Sequence, residues 1–228
     1  MTSPPTAHEP LSRTARATRT RILEAALREL GRDADSSLGD IAEAAGVARR
    51  TVYAHFAGRA ALVGGLAAEA GEAIRGAIAV VDASTPRRGP APDAASALAR
   101  VVLTLWPVGD RYRTLIGLAR QDLEANRVSG LLTPVRDTVA GILARGQRQG
   151  VFHTGVPPGP LSRGLEAHIL ALLDSVNSGT WADDGTGAAT TTLIAAGADR
   201  DVAASTVHHL RDANQPGCDA NQPGCDAR

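Results

Sequence analysis

Three observations predict an all-α fold. Apolar residues recur at helical spacing through most of the chain, strand-type alternation is nearly absent, and small residues dominate. Of 228 residues 43 are Ala and 24 are Gly, whereas Phe, Tyr and Trp together number six. That composition suits helices that approach closely through small side chains and argues against an all-β sandwich. The length allows one medium domain, or a small one joined to a larger one, with a sizeable core.

Taken in order, Pro4, Pro5 and Pro10 keep the first ten residues out of a helix. Arg13, Arg16, Arg19 and Arg21 follow with no acid between Leu11 and Leu23, so a basic arm leads into the first helix, whose face is Ile22, Leu23, Ala26, Leu27 and Leu30. The second helix has Ser37 at its N-cap and Asp40 three residues on, close to a capping box. Leu38, Ile41, Ala42 and Ala45 form its buried face, and Gly46 stands where a helix ends with positive φ before a tight turn. The third starts at Ala48 or Arg49. It turns Val52 and Phe56 inward at i, i+4 and leaves Arg49, Arg50, Thr51, Tyr53 and His55 outward or along the rim.

Later stripes are Leu62, Leu66, Ala70, Ala73, Ala77 and Val81; Leu98, Val101, Val102 and Leu105; Leu115, Leu118, Ala119 and Leu123; Leu132, Val135, Val139, Ile142 and Leu143; and Leu161, Leu165, Ile169, Leu172 and Val176. A last helix covers Asp199 to Leu210. Proline-rich breaks lie at Ser84–Pro92 and Pro157–Pro160, and the count is about nine helices, three of them short and within the first 57 residues. No window approaches 18 apolar residues, and no apolar stretch follows the charged N-terminus as a secretory leader requires, so a cytoplasmic protein without a membrane span is expected. Cys218 and Cys225 both fall in the tandem repeat DANQPGC, which is expected to be a disordered tail; no disulfide framework or zinc cluster can hold the core from there.

Charge is balanced, with 24 Arg, no Lys and 24 acids, so any nucleic-acid surface must be local. Residues 1–59 carry nine Arg against seven acids and the remainder 15 against 17. Two short helices joined by a Gly-bearing turn, the second with a row of long donors at its start, have the arrangement of a helix-turn-helix. Arg suits bidentate contacts to guanine O6 and N7, while Thr, Tyr and His side chains suit phosphates. An ordinary surface helical hairpin has the same spacing.

The segments ILEAALREL and SLGDIAEAAGVARRTVYAHFAGRAALV resemble the N-terminal domain of the TetR (tetracycline repressor) family of bacterial transcription regulators, over about Thr18 to Leu66. RGQRQGVFHTGVPPGPL has a weaker likeness to a segment joining late helices in some actinobacterial-type members, and the rest is similar in length and helicity. The resemblance implies an all-α homodimer that binds double-stranded DNA at an operator palindrome and releases it when a small-molecule effector enters the larger domain. It implies phosphate contacts from Ser37, Thr51, Tyr53 and His55, and from Arg59, which replaces the usual Lys at the start of the fourth helix; Arg keeps the charge in a fork geometry. Arg49 and Arg50 fall at variable positions, where base reading is placed. Two residues depart from the pattern: Ala48 stands where a Ser often caps the recognition helix, and Arg50 where Gly or another small residue is frequent.

The expected organisation is a basic, flexible arm over 1–17, a helix-turn-helix domain over 18–57, a helical effector-binding and dimerisation domain over 58–211, and a tail over 212–228. The dimer seam is expected on Leu161–Val176 and Val202–Leu210, and deletion beyond Leu210 is expected to leave folding intact. Trp106, Tyr112 and His168 are the candidate effector-contacting residues, each with the alternative of ordinary core or interface packing. Trp181 is read as the end of a dimer-forming helix, and Asp174 and Asn177 as buried polar candidates. Enzyme chemistry has no support: GxSxG, HExxH, Walker and GxGxxG patterns are all missing, and the histidines have no metal-ligand spacing, so neither cofactor nor metal is expected. The alternatives are a helical DNA-binding or interaction module without an effector, and a cofactor-free enzyme.

Overall fold

Stripes of Ala, Leu, Ile and Val at three- and four-residue spacing give ten helices among the residues that the computed structural model describes, 13–83, 93–122 and 130–214. They are α1 (Arg13–Arg32), α2 (Leu38–Ala44), α3 (Arg49–His55), α4 (Arg59–Ala83), α5 (Ala94–Arg111), α6 (Arg113–Asp122), α7 (Thr133–Arg148), α8 (Pro158–Asn177), α9 (Thr186–Ala196) and α10 (Arg200–Asn214). Regular structure among these residues is all helical, and no described helix is long and apolar enough to cross a membrane. The Ser84–Pro92 break, Leu123, the first twelve residues and the cysteine-bearing repeat beyond Asn214 lie outside the described residues.

Contacts divide the chain into two compact units. One takes the N-terminal residues to Arg75 together with Arg111–Thr133; the other takes Gly76–Asp110 and the chain from Pro134 onward. In the first, Ile22, Leu23 and Leu30 of α1, Ile41 of α2, Val52 and Phe56, and Leu62, Val63 and Leu66 of α4 are at most 3% exposed. Close approach here depends on Gly65: a Cβ on it would stand 2.8 Å from the Phe56 ring and 3.1 Å from Leu23. Helix α1 begins at Arg13, so Arg13 and Arg16 stand on a helix and not in a flexible arm. The run after Pro10 contains neither Pro nor Gly, and nothing stops the helix from extending.

In the second unit the buried side chains include Leu98, Val101 and Trp106 of α5, Leu143 of α7, Leu165 and Leu173 of α8, Leu193 of α9 and Val207 of α10. Helix α5 runs through Pro107 to Arg111, and the turn to α6 follows it at Tyr112. The proline removes one i→i−4 hydrogen bond without ending the helix. The Trp106 indole N–H donates to the Asp183 carbonyl at 3.1 Å, and Trp181 meets its ring edge-on at 6.0 Å. Trp181 lies beyond the end of α8 and packs within its own unit. Ser162, 3% exposed, donates to the Arg136 carbonyl, and the Arg136 guanidinium pairs with Glu166 at 2.5 Å, tying α7 to α8. Asp174 and Asn177 are exposed, contrary to their expected burial, because their positions on α8 turn away from the face that buries Leu165 and Leu173.

Helix α9 is the element the nine-helix expectation omits. Its Ala- and Thr-rich sequence has no amphipathic period to read. Its threonines bond back along the helix, Thr190 to the Thr186 carbonyl at 2.9 Å, Thr191 to Gly187 at 2.9 Å and Thr192 to Ala188 at 2.7 Å, so that Thr192 is buried with its hydroxyl satisfied. The Asp183 carboxylate caps its start, accepting from the Gly187 and Ala188 N–H groups at 2.9 Å each. Arg211 of α10 reaches Asp184 at 2.7 Å and the Thr186 hydroxyl at 2.9 Å, fastening α10 to the same corner. Helix α10 continues to Asn214, so residues 212–214, expected in the tail, are helical.

Asp183→Ala is expected to lower unfolding stability by about 1–2 kcal/mol in urea titration, because two helix-start N–H groups lose their acceptor. An unchanged midpoint would show that water replaces the carboxylate. Ending the chain at Leu210 removes Arg211, and a measurable fall in melting temperature is expected in place of the intact folding that the sequence suggests.

Candidate nucleic-acid interface

The helix-turn-helix is assembled by local chemistry at each end of α2. Ser37 is the N-cap: its Oγ accepts from the Gly39 and Asp40 N–H groups at 3.2 and 3.3 Å, and its own N–H donates to the Asp40 carboxylate at 2.8 Å. This completes the capping box that the Ser–Asp spacing suggests. The hydrogen bonds from Ser37 hold the Asp40 carboxyl below the usual carboxylate range, with a further contribution from the Arg49 charge. At the other end Gly46 takes φ 62°; its N–H bonds the Glu43 carbonyl and that of Val47 bonds the Ala42 carbonyl. These two bonds make a Schellman turn, and the left-handed residue inside it favours glycine.

Helix α3 then starts at Arg49 with Ala48 at its N-cap, which supplies no side-chain hydrogen bond. Val52 and Phe56 point inward. Arg49, Arg50 and Tyr53 are exposed, Tyr53 by 47%, while Thr51 and His55 are half-buried on the rim. The Arg49 guanidinium lies 6.0 Å from the Tyr53 ring centroid, and the His55 ring lies 6.4 Å from that of Phe56. The structure therefore brings Ser37, Arg49, Arg50, Thr51, Tyr53 and His55 onto α3 and the start of α2 as one local constellation.

Arg59 is placed differently from a free phosphate donor. Its guanidinium donates to the Ala34 carbonyl at 2.5 Å and to the Ser36 carbonyl at 3.3 Å, bracing the loop that delivers Ser37. Sequence reasoning also misses Arg19, whose guanidinium lies 4.4 Å above the Phe56 ring and so clamps the end of α3 against α1. Its signal in the sequence is indistinguishable from the other arginines of the basic run.

The three effector candidates divide between the two units. Tyr112 belongs to the first unit, where Arg111 lies 5.6 Å from its ring centroid and burial pushes its hydroxyl pKa up. Burial also pushes up the carboxyl of Glu69 in that unit, with Arg111 and Arg19 opposing and Glu24 adding to the shift. Trp106 and His168 belong to the second unit. His168 Nε2 lies 3.0 Å from the Thr191 hydroxyl, joining α8 to α9, and burial pushes its pKa down. His208 and His209 are exposed near the end of α10. Among the described residues no group of three His, Cys, Asp or Glu side chains is placed to hold a metal ion.

Residues 22–66 match the family described as bacterial regulatory proteins, tetR family. Solved structures with this fold include a gamma-butyrolactone receptor (ArpA-like protein), with TM-score 0.66 and 18% identity, covering 88% of this chain and 99% of that one. The fatty acid degradation regulator FadR from Bacillus halodurans has TM-score 0.62 and 15% identity, over 84% and 97%. The TetR-like transcriptional regulator LfrR from Mycobacterium smegmatis, solved in complex with proflavine, has TM-score 0.58 and 26% identity, over 78% and 95%. No curated protein matches the chain.

Because the Asp40 pKa is lower folded than unfolded, its contribution to stability is present above the unfolded carboxylate pKa and is lost as pH falls through the folded value. In Ser37→Ala the Asp40 carboxyl is expected to titrate closer to its ordinary value when followed by NMR. An unchanged titration would remove the capping box as the cause.

Proposed function

Residues 22–66 match the tetR family of bacterial regulatory proteins, and from that premise we propose that the chain is a member of it and a ligand-responsive repressor, a cytoplasmic homodimer that binds a palindromic operator and leaves it when a small molecule binds. The observation that carries this reading is the outer face of α3, where Arg49, Arg50 and Tyr53 stand exposed while Val52 and Phe56 lock the helix from behind. An exposed row of bidentate and hydroxyl donors on the second helix of a helix-turn-helix suits insertion into a major groove. The family is one of transcription regulators, not enzymes.

In this reading residues 18–57 carry the DNA contacts and residues 58–211 bind the effector and form the dimer. Ser37, Thr51, Tyr53 and His55 contact phosphates, and Arg49 and Arg50 stand where bases are read. The hydrogen bonds that hold the Asp40 carboxyl low include one from the Ser37 hydroxyl, so a phosphate contact there draws that proton away from Asp40. Arg59 serves chiefly by holding Ala34 and Ser36 in place beside that phosphate. Trp106 and His168 are the candidates for touching an effector in the second unit, and Tyr112 is assigned to the charged cluster of the first. The small molecules named for similar proteins, proflavine and resorcinol in two complexes and the gamma-butyrolactone after which a third is named a receptor, differ enough that an effector of this chain is to be sought by screening.

Two recognition helices roughly 34–36 Å apart are needed to meet successive major grooves, so the dimer is part of the mechanism. Its seam is assigned to α8 and α9. In α10 the stripe residues Ala203 and Val207 are fully buried in their own unit, while Val202 is 49% exposed and Leu210 half-buried. Helix α8 presents Ala167 and Ala171 outward, with Ile169, Leu172 and Val176 half-buried, while α9 presents Thr191, Ala195 and Ile194, which is 41% exposed. The His168–Thr191 contact sets these two surfaces side by side. An effector that favours a different dimer geometry weakens DNA binding, and by linkage DNA weakens effector binding by the same factor.

Selection of genomic fragments with purified protein is expected to recover one palindromic site bound in the nanomolar range with a steep salt dependence. Recovery of no site, with only weak salt-sensitive binding, would overturn the reading. Ile194→Asp, by placing a charge in the seam, is expected to give a folded monomer in sedimentation that binds the site at least tenfold more weakly. A dimeric Ile194→Asp protein would remove α9 from the seam.

A further inference from the structure

His168 stands half-buried on α8, beside the exposed Ala167 and one turn before the exposed Ala171. Its Nε2 lies 3.0 Å from the Thr191 hydroxyl of α9. That hydroxyl has a single proton, and the Gly187 and Ala188 carbonyls stand 2.9 and 3.2 Å away to receive it. With the proton used inside α9 the oxygen is left to accept, so Nε2 is the donor and the neutral ring has no proton on Nδ1. Titration of this ring therefore adds its proton at Nδ1. Helix α9, packed against it, has no charged residue from Thr186 to Ala196. Before α9, Asp183 is held by the Gly187 and Ala188 N–H groups and Asp184 by Arg211. On α8 itself Glu166 is paired with Arg136 of α7, and Arg163 and Asp174 stand exposed about 120–140° around the helix from His168. Helices α5 and α7 meet α8 on its other side, at Leu173 and Glu166. Burial alone pushes the His168 pKa down.

Resting on the reading above, in which a second copy of this chain covers α8 and α9, we propose that His168 makes the dimer proton-sensitive: the two copies hold together while the ring is neutral and part when it is protonated. In the separate chain a protonated ring at this half-buried position keeps its access to water. The seam removes that water, and with no carboxylate on the face the cation is desolvated without compensation. A two-fold seam holds two such rings, so the penalty is incurred twice in each dimer. The ring then titrates at lower pH in the dimer than in the separate chain, and association weakens as pH falls through the separate chain's value. Because Nε2 donates to Thr191 in both protonation states, the added proton leaves the fold of the single chain intact and acts on association. Operator binding, which needs both recognition helices, weakens with it.

Sedimentation of the full-length protein and of His168→Gln, between about pH 7.5 and about pH 5.5, tests the proposal. The Gln amide supplies a donor in place of Nε2 and takes up no proton. The wild-type dimer is expected to have a dissociation constant about tenfold or more higher at the acid end, with helical content by circular dichroism unchanged. His168→Gln is expected to lose most of that dependence. A second measurement needs no variant: NMR of the wild-type imidazole is expected to give a lower titration midpoint at concentrations where the protein is dimeric than where it is dilute and monomeric. A dimer equally tight at both ends of the range, a dependence retained in His168→Gln, or one imidazole midpoint at both concentrations would overturn the inference. Protein that stays monomeric at every pH, or a dimer indifferent to Ile194→Asp, would instead remove the seam itself and the inference with it, an outcome distinct from the others.

Discussion

The burial of Val52 and Phe56 is the constraint on which the DNA-facing surface depends. Helix α3 has seven residues, too few to persist in water on its own propensity, so tertiary packing must hold it. Val52 is fully buried and Phe56 nearly so, and the Phe56 ring is covered by Arg19 of α1 and closely approached by Gly65 of α4. With these two side chains fixed at i, i+4, the remaining residues of α3 have no choice of direction. Tyr53 and Arg50 face out because Val52 and Phe56 face in.

The same logic places the polar residues. The loop before α2 has its carbonyls taken by Arg59, its serine by the first N–H groups of the helix and its aspartate by the serine backbone. Each bond satisfies a group that would otherwise be left open at a helix end, and together they aim the Ser37 hydroxyl. The second unit uses another economy. With few aromatic residues, it pins Trp106 with one hydrogen bond and one edge-on ring, and fills the remaining contacts with Ala, Gly and self-bonded Thr.

Much of this was legible in the sequence where local rules decide the outcome. The Ser37–Asp40 spacing, the Gly46 turn and the Val52–Phe56 pair each imply one structure, and each is found. Legibility ends where the deciding factor is distant in sequence. Nothing near Arg19 distinguishes it from Arg16, and only the fold shows that one lies on Phe56 while the other is exposed. Arg59 reads as a phosphate donor until the loop 23 residues earlier is seen to use its guanidinium. Helix α9 escaped because its threonines satisfy themselves within the helix, which leaves no amphipathic pattern. On α10 the chain's own core takes Ala203 and Val207 while Val202 stays exposed, since periodicity marks burial without naming the partner.

The central claim is that two α3 helices, held by this packing, meet one face of a DNA duplex together. Hydroxyl-radical footprinting of the protein on its selected site tests it most directly. Two protected patches of equal strength, centred one helical turn apart or a whole number of turns apart on the same face and appearing together as protein is added, are the predicted result. A single patch, or even protection along the fragment, would contradict the account.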